Sequence, residues 1–210
     1  DMNAENLKNS INENTKMIWI ETPTNPTLKI IDIEEITKVA KTHNIITVVD
    51  NTFASPYLQS PLLLGTDIVM HSCTKYIGGH SDIVAGAIIT NDNELFEKIN
   101  FNLLSMGACI SPFDAYILMR SLKTLKIRVE EATKNAQIIV NYLKNHPKIE
   151  KVFYPGLESH PGHLIAKKQM RNFGAMISFT IKGDLSSSKL LLENMKLITL
   201  AESLGGVESL

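Results

Sequence analysis

The sequence predicts an α/β fold with a mostly parallel sheet and a second, smaller α/β domain. Three observations predict it. Apolar runs of strand length alternate with segments of helical periodicity, several of these runs are rich in β-branched residues, and the alternation restarts after one long helical stretch. A strand, a helix and a strand follow one another within residues 17–50, which is the pattern of a right-handed βαβ unit and hence of parallel strands.

The first βαβ unit is the most clearly patterned part of the chain. MIWIE (17–21) has strand length, and IDIEEITKVAKTHN (31–44) places its apolar residues on one helical face. Asp32 is suited to cap the start of this helix, with Glu35 three residues later as its capping-box partner. IITVVD (45–50) is a continuous apolar run, which indicates a strand buried on both faces.

The remaining elements follow the same alternation. DIVMHS (67–72) and IVAGAIIT (83–90) are two further apolar strands, and the next helix lies within NDNELFEKINFNLLSM. Residues 111–146 form a long helical stretch that Ser111 caps and that we expect to bend near residues 121–124. Further strands are expected at 151–155 and 174–183, with helices in HLIAKKQM and SSSKLLLENMKL.

This pattern suggests three regions. We expect residues 1–111 to be part of a large domain, 112–146 to be a long connecting helix, and 147–210 to begin a small C-terminal α/β domain. Both ends resemble the middle of a structural element, so we expect the sequence to be a piece of a longer chain.

Composition limits the classes of function. The chain has 210 residues, 44% hydrophobic and 20% charged, with a formal net charge of −1, so charge gives no case for a nucleic-acid or membrane-surface partner. No apolar stretch approaches the roughly 20 residues that a bilayer span needs, and the polar start lacks a signal-peptide pattern. Cys73 and Cys109 form no CxxC pair, so neither a disulfide framework nor a zinc site is predicted, and a cytoplasmic location is expected.

Unusual polar residues follow two of the predicted strands. Asp50 ends IITVVD, and Ser72, Thr74 and Lys75 come at the end of DIVMH. Ligands of open α/β sheets bind at the carboxyl ends of strands, so neighbouring parallel strands would bring these side chains to one crevice.

An aspartate and a lysine at such a crevice suit one cofactor. A partly desolvated lysine amine is a nucleophile for aldehydes, and pyridoxal phosphate is a common aldehyde cofactor. It also needs a carboxylate at its pyridine nitrogen and hydroxyl groups for its phosphate. Taken singly, each residue has an ordinary explanation, because Lys75 could be a solvated surface residue and Asp50 a turn former.

A family resemblance favours the cofactor. ETPTNPT, VVDNTFASPY, HSCTKYIGGHSD, SPFDAYILMRSLKTL, FYPGLESHPGH and AESLGGVESL together resemble the Cys/Met-metabolism class of pyridoxal-phosphate-dependent enzymes, over nearly the whole chain from about Lys16. Within that family the chain resembles the cystathionine γ-lyases most and the γ-synthases next. The resemblance implies an aspartate-aminotransferase-like α/β fold, the type I fold of these enzymes.

The resemblance also implies roles for particular residues. Lys75 corresponds to the Schiff-base lysine and proton shuttle, Asp50 to the partner of the pyridine nitrogen, and Ser72 and Thr74 to phosphate ligands. Asn25 corresponds to a residue near the 3′ oxygen of the cofactor and the substrate carboxylate. At the substrate end of the site, Glu202 and Ser203 correspond to substrate-binding residues.

The implied activity is γ-elimination of L-cystathionine to L-cysteine, 2-oxobutanoate and ammonia by a cytoplasmic homotetramer. One alternative is the γ-synthase reaction on an activated homoserine, and another is a catalytically incomplete homologue that acts as a subunit partner. The second alternative arises because the family's phosphate-binding glycine loop, its ring-stacking tyrosine and its carboxylate-binding arginine have no counterpart in these residues.

Other histidines and cysteines have structural interpretations. We expect His71 and His80 to pack or donate hydrogen bonds near the lysine, and Cys73 to point into the core. His160 and His163 lie around Pro-Gly, which favours a turn over a metal site.

Overall fold

The computed structural model describes residues 2–210, which form six strands and eight α-helices among them. The strands are β1 (Met17–Glu21), β2 (Ile46–Asp50), β3 (Ile68–Ser72), β4 (Gly86–Thr90), β5 (Ile149–Phe153) and β6 (Ser178–Ile181). The helices are α1 (Ala4–Ser10), α2 (Ile33–Thr42), α3 (Ser55–Leu58), α4 (Asn93–Met106), α5 (Pro112–Leu122), α6 (Leu125–Lys144), α7 (His163–Gln169) and α8 (Leu185–Glu193).

The larger sheet has the order β1-β2-β3-β4. The first two pairings are parallel, and β4 runs antiparallel to β3, so the expected mostly parallel sheet is confirmed. In the register of the sheet, Glu21 lies beside Asp50 and Asp50 lies beside Met70. The carboxyl ends of the three parallel strands therefore meet at one edge.

The first βαβ unit forms as the sequence predicts. Asp32 caps α2 by accepting a hydrogen bond from the Glu35 N–H at 3.0 Å. The apolar face of α2, including Ile33 and Ile36, packs in a buried cluster with Val49 of β2. Burying such side chains contributes about 1.5–3 kcal/mol each, which fixes the helix on the sheet.

Several elements differ from the sequence predictions in existence or length. Residues 2–16 contain α1, which was not predicted because Leu7 is its only buried residue and gives no periodic pattern. β4 begins at Gly86, three residues later than expected, because Ala85 is already hydrogen-bonded to Thr74. β6 covers only part of the predicted 174–183. The long helical stretch is divided into α5 and α6 at residues 123–124, where the bend was expected.

A second sheet pairs β5 and β6 antiparallel after α6. Tyr154 packs beside it, and its buried hydroxyl donates to the Gly174 carbonyl at 2.9 Å. Burial raises the pKa of Tyr154 to about 12, so the hydroxyl stays a donor. The division at residues 111 and 146 into large domain, connecting helix and small domain stays a prediction.

A chain of side-chain amides links the two sheet regions. The Asn51 amide donates to the Gln59 carbonyl at 2.9 Å, and the Gln59 amide donates to the Asn51 side-chain oxygen at 2.9 Å and to the Thr22 carbonyl at 3.2 Å. Gln169, at the end of α7, donates to the Gln59 side-chain oxygen at 3.1 Å and to the Ile31 carbonyl at 3.0 Å. Because Asn51 and Gln59 are buried, these bonds satisfy polar groups that water does not reach.

Among residues 2–210, no helix combines the length and the apolar character that crossing a bilayer requires.

Candidate active site

The ends of β2 and β3 are joined through Thr52. The Thr52 N–H donates to Asp50 Oδ1 at 3.0 Å, and the Thr52 hydroxyl accepts from the Ser72 N–H at 2.9 Å. The Asn51 N–H donates to the Met70 carbonyl at 2.9 Å, which continues the sheet pairing past Asp50. The structure therefore brings Asp50 and Ser72 to one edge of the sheet, as predicted.

His71 is buried next to this edge, with 4% of its surface exposed. Burial lowers its pKa to about 4, and the negative charge of Asp50 opposes this shift only in part. His71 is therefore neutral at pH 7 and packs against the strand end, in line with the structural role expected for it.

Lys75 is presented by an irregular turn. Residues 73–77 form a π-helical turn, and Lys75 departs from helical geometry with φ −92° and ψ −127°. The turn is closed by hydrogen bonds from the Gly78 N–H to the Cys73 carbonyl at 2.8 Å and from the Gly79 N–H to the Lys75 carbonyl at 2.7 Å. π-Helical turns are rare in proteins as a whole, and those that occur often lie at functional sites.

The amine of Lys75 has one partner among the described residues. Its Nζ donates a hydrogen bond to Ser203 Oγ at 3.2 Å. Lys75 and Ser203, which were expected to act on the cofactor and the substrate respectively, are thus in direct contact.

The C-terminal residues pack closely over the lysine turn. Gly205 has φ +76°, and a Cβ at this position would lie 2.6 Å from the Tyr76 backbone nitrogen. The Ser81 hydroxyl donates to the Glu208 carboxylate, which fastens the same segment from the other side. Glu202 is exposed and makes no hydrogen bond or ion pair with residues 2–210.

The two predicted phosphate ligands differ in their surroundings. The Thr74 hydroxyl is engaged with Ala85, donating to its carbonyl at 3.3 Å and accepting from its N–H at 3.1 Å. The Ser72 hydroxyl makes no hydrogen bond with residues 2–210, so it is available to a ligand. Thr74 would have to release its bond to the Ala85 carbonyl in order to donate to a phosphate.

Asn25 borders a cavity beside the strand edge. Its N–H donates to Glu21 Oε1 at 2.7 Å, and it lines a cavity of about 980 Å³. The other walls of this cavity include Trp19, Ile149 and His160, whereas Asp50, Ser72, Lys75 and Ser203 do not line it. The structure therefore groups Asp50 with Ser72 and Lys75 with Ser203, and the two pairs lie three residues apart in the chain, at Ser72 and Lys75. Asn25 reaches the same strand edge only through Glu21, the neighbour of Asp50 in the sheet, and Glu202 bonds to none of these residues.

The grouped residues fit pyridoxal phosphate. The donor set contains an amine on a turn, a carboxylate at a strand end and a hydroxyl with no partner among the described residues. These are the groups that an aldehyde, a pyridine nitrogen and a phosphate respectively require.

Three residues near this site were not predicted from the sequence to be part of it. Thr52 joins Asp50 to Ser72, Glu21 accepts from Asn25, and Arg128 binds carbonyl groups of the lysine turn. Thr52 and Glu21 lie within motifs that carry the family resemblance, so the sequence could have predicted that they lie near the site. Arg128 could not have been predicted in this way, because an arginine on a helix is ordinarily solvated.

The histidines of the Pro-Gly turn, His160 and His163, form hydrogen bonds that stabilise it. His160 Nδ1 accepts from the Gly162 N–H at 3.0 Å, and His163 contacts the Pro155 carbonyl through Nδ1 at 2.9 Å while its ring stacks on Phe173. Within residues 2–210, no group of three or more histidine, cysteine, aspartate or glutamate side chains could hold a metal ion.

Comparison with known proteins gives a consistent family match. Residues 1–210 match the family model described as "Cys/Met metabolism PLP-dependent enzyme". The chain is 54% identical to a cystathionine γ-lyase from Dictyostelium discoideum, covering 98% of this chain and 53% of that protein. It is also 54% identical to an L-methionine γ-lyase from Fusobacterium nucleatum subsp. polymorphum (99% and 53% covered) and to a cystathionine β-lyase from Lactococcus lactis subsp. cremoris (99% and 54% covered).

Solved structures show the same similarity. A cystathionine γ-lyase from Lactobacillus plantarum complexed with L-serine is 45% identical with a TM-score of 0.93, covering 96% of this chain and 53% of that chain. A cystathionine γ-synthase from Xanthomonas oryzae pv. oryzae in complex with cystathionine is 44% identical with a TM-score of 0.92, covering 98% and 52%. The expected aspartate-aminotransferase-like α/β fold is confirmed, and the chain spans about half the length of the relatives it matches.

Proposed function

The chain belongs to the Cys/Met-metabolism family of pyridoxal-phosphate-dependent enzymes, and on this premise we propose that the whole protein cleaves L-cystathionine by γ-elimination. The reaction consumes water and gives L-cysteine, 2-oxobutanoate and ammonia. The observation that carries the proposal is the contact of the Lys75 amine with Ser203 beside the strand end that holds Asp50.

The residues of the chain would hold the cofactor as follows. Lys75 would bind the aldehyde, Asp50 the pyridine nitrogen, and Ser72 the phosphate, with Thr74 as a second phosphate ligand after it releases Ala85. Asn25 would act at the edge of the site, near the cofactor oxygen and the substrate carboxylate. When bound, pyridoxal phosphate supplies the electron sink that allows a proton to leave Cα of an amino acid.

Lys75 would move the protons. As a free amine it would be the base for the Cα proton, and it would have to return that proton to the bound substrate and cofactor before it could take the Cβ proton. Loss of the Cβ proton would then expel the thiolate from Cγ, and the ammonium formed in that step would protonate the departing sulfur. Ser203 would hold the amine between these steps because its hydroxyl already accepts a bond from Nζ.

The γ-synthase reaction is the second candidate. The similarity to the Xanthomonas oryzae synthase supports it, and the same residues would serve, with cysteine replacing the leaving group at Cγ. The relatives named β-lyase and methionine γ-lyase lie at the same identity as the γ-lyase. The family and the sulfur-amino-acid substrate class are therefore shared by all of them, and the choice of γ-elimination is our proposal. The third candidate, a catalytically incomplete subunit partner, would lack the cofactor bond at Lys75.

We also propose a homotetramer in the cytoplasm. Large apolar side chains on α4 and α5 are exposed, among them Phe101, Met106 and Phe113, each with 70% or more of its surface accessible. An exposed patch of this kind is typical of a protein interface. Light scattering of the full-length protein tests the oligomeric state.

The test of function uses the full-length protein that contains this chain. Incubation with cystathionine alone should release 2-oxobutanoate, whereas pyruvate would indicate β-elimination. Product formation only after addition of an activated homoserine and cysteine would indicate the synthase. Methanethiol from methionine, at a kcat/KM above that for cystathionine, would indicate a methionine lyase.

A second arm tests the cofactor. With added pyridoxal phosphate, the wild type should show a near-visible absorbance band and a cofactor-modified Lys75 after borohydride reduction, and Lys75→Ala should show neither. Lys38→Ala, an exposed lysine of α2 in a salt bridge with Glu34, is the matched control and should behave as wild type. Identical spectra for the wild type and Lys75→Ala would overturn the enzyme proposal in favour of the subunit partner.

A further inference from the structure

Arg128 binds the end of the turn that carries Lys75. Its Nη1 donates to the Tyr76 carbonyl at 2.7 Å, and its Nη2 donates to the Ile77 carbonyl at 3.4 Å. Both carbonyls directly follow the lysine in sequence. Since the end of a helical turn leaves its last carbonyls unpaired, the guanidinium supplies the N–H groups that a continuing helix would supply.

The carbonyls of Tyr76 and Ile77 accept hydrogen bonds from Arg128 and from no backbone N–H of residues 2–210. After Ile77 the chain turns away at Gly78 and Gly79, whose N–H groups bond back to Cys73 and Lys75. Arg128 of α6 therefore pairs the two carbonyls of the lysine turn that the backbone leaves open.

The same guanidinium holds a second helix end. Nη2 also donates to the Ser121 carbonyl at 3.1 Å, near the end of α5, and Nε donates to the Thr124 hydroxyl at 3.1 Å. Arg128 thus connects the break between α5 and α6 to the lysine turn. Five fixed donors on a planar group suit this arrangement, which a lysine could not reproduce.

Arg128 has no acidic partner among the described residues. The salt bridges of residues 2–210 do not include it, and all of its hydrogen bonds go to uncharged oxygens. Burial lowers the pKa of its guanidinium, which reflects partial loss of water around the charge. A partly desolvated arginine whose partners are three carbonyls and one hydroxyl fixes the geometry of these groups and forms no ion pair.

The backbone leaves room for this contact. Gly79 has φ +69°, and a Cβ at Gly79 would lie 2.0 Å from Arg128 Nη1. Gly79 is therefore required both for its backbone conformation and for the approach of the guanidinium.

We propose that Arg128 is a positioning residue for the Lys75 amine: by fixing the carbonyl end of the turn, it holds the amine in reach of Ser203 and of the cofactor. The inference toward the cofactor rests on the proposed function. The inference about the free amine does not rest on the proposed function, because the Lys75–Ser203 hydrogen bond is present in the chain without a cofactor.

The test compares Arg128→Lys and Arg128→Gln with Arg120→Lys and Arg120→Gln in the full-length protein. Arg120 is an exposed arginine of α5 and makes no hydrogen bond or ion pair with residues 2–210, so it is the matched control. The first readout needs no cofactor: the cofactor-free protein is reductively methylated with formaldehyde, and modification of each lysine is followed by mass spectrometry. We expect Lys75 to react about fivefold faster in the Arg128 variants, as loss of one ordinary hydrogen bond would give, and other lysines to react at wild-type rates.

The second readout is pyridoxal phosphate binding, followed by the near-visible band. We expect a dissociation constant about tenfold higher in the Arg128 variants. A purely structural role would lower the melting temperature and leave the Lys75 methylation rate unchanged. That result in Arg128→Lys, or in Arg128→Gln if the lysine variant does not fold, would overturn the inference.

The two hypotheses fail separately. Absence of a cofactor band in the wild type would contradict the proposed function, and the methylation readout would still decide the role of Arg128. A normal wild-type band with unaltered Arg128 variants would contradict the role of Arg128 alone.

Discussion

Lys75 Nζ lies 3.2 Å from Ser203 Oγ, and this single hydrogen bond joins residues 128 positions apart in the chain. The lysine comes from the end of the third strand of the larger sheet, and the serine from the C-terminal segment that covers it.

Ser203→Ala should release the Lys75 amine. The bond is worth about 1 kcal/mol, so reductive methylation of Lys75 in the cofactor-free protein should become about fivefold faster. Ser209→Ala, at an exposed position in the same segment, should leave the rate unchanged. Equal rates in Ser203→Ala and the wild type would show that the amine does not rely on Ser203.

Gly205→Ala should be more destabilising than Gly107→Ala, although both glycines have a positive φ. Gly107 has φ +69° with nothing within 4 Å of the added Cβ, so only the backbone strain of about 1 kcal/mol applies. At Gly205 the Cβ would also meet the Tyr76 nitrogen at 2.6 Å, which adds about 1–3 kcal/mol. Urea unfolding measures both, and a cost at Gly205 no larger than at Gly107 would contradict the close packing on the lysine turn.

Thr52→Val should weaken the link between Asp50 and Ser72. The variant loses the acceptor for the Ser72 N–H and leaves that group unpaired, at a cost of about 1–3 kcal/mol. Thr52→Ser keeps the hydroxyl and should lose much less. The free energy of unfolding in urea is the measurement, and a loss in Thr52→Val no larger than that in Thr52→Ser would show that the hydroxyl does not carry the link.

His71 should make stability fall as the pH falls. Its pKa is lowered from 6.5 to about 4 in the folded protein, so the unfolded chain binds its proton first as the solution is acidified. The contribution of His71 to the free energy of unfolding is fully present above about pH 6.5 and is lost progressively toward pH 4. The loss amounts to about 3 kcal/mol at most.

The measurement is the free energy of unfolding between pH 7 and pH 4, compared between the wild type and His71→Gln. The glutamine variant should lose less stability over this range, since position 71 no longer titrates. His43→Gln, at an exposed histidine, should keep the wild-type slope. Parallel profiles for His71→Gln and the wild type would refute the assigned role of burial.

The predictable part of the fold is the part with regular patterns. The βαβ unit from residues 17 to 50 could be predicted because Asp32 caps α2 and its apolar face repeats with helical spacing. The first helix could not, because Leu7 alone anchors it. Strand ends also carried a signal, since Asp50 and Ser72 follow apolar runs and meet at one edge.

Contacts made by distant residues could not be predicted from local pattern. Thr74 has the residue type of a phosphate ligand, yet its hydroxyl is engaged with Ala85. Arg128 has the sequence surroundings of an exposed helical arginine, and only the fold places it on the lysine turn. The spacing of residues predicts which side chains lie at a strand end. The hydrogen-bond partners of those side chains depend on the tertiary structure.

The side-chain amides of Asn51 and Gln59, which are buried, and of Gln169, which is half-buried, form hydrogen bonds of fixed direction between the two sheet regions. Each amide donates a hydrogen bond through its nitrogen and accepts one through its oxygen, whereas an ionised carboxylate can only accept. Hydrolysis of the Gln59 amide to an acid would leave two acceptors facing each other away from water. Such a change would cost about 1–3 kcal/mol at the contact between the two sheet regions.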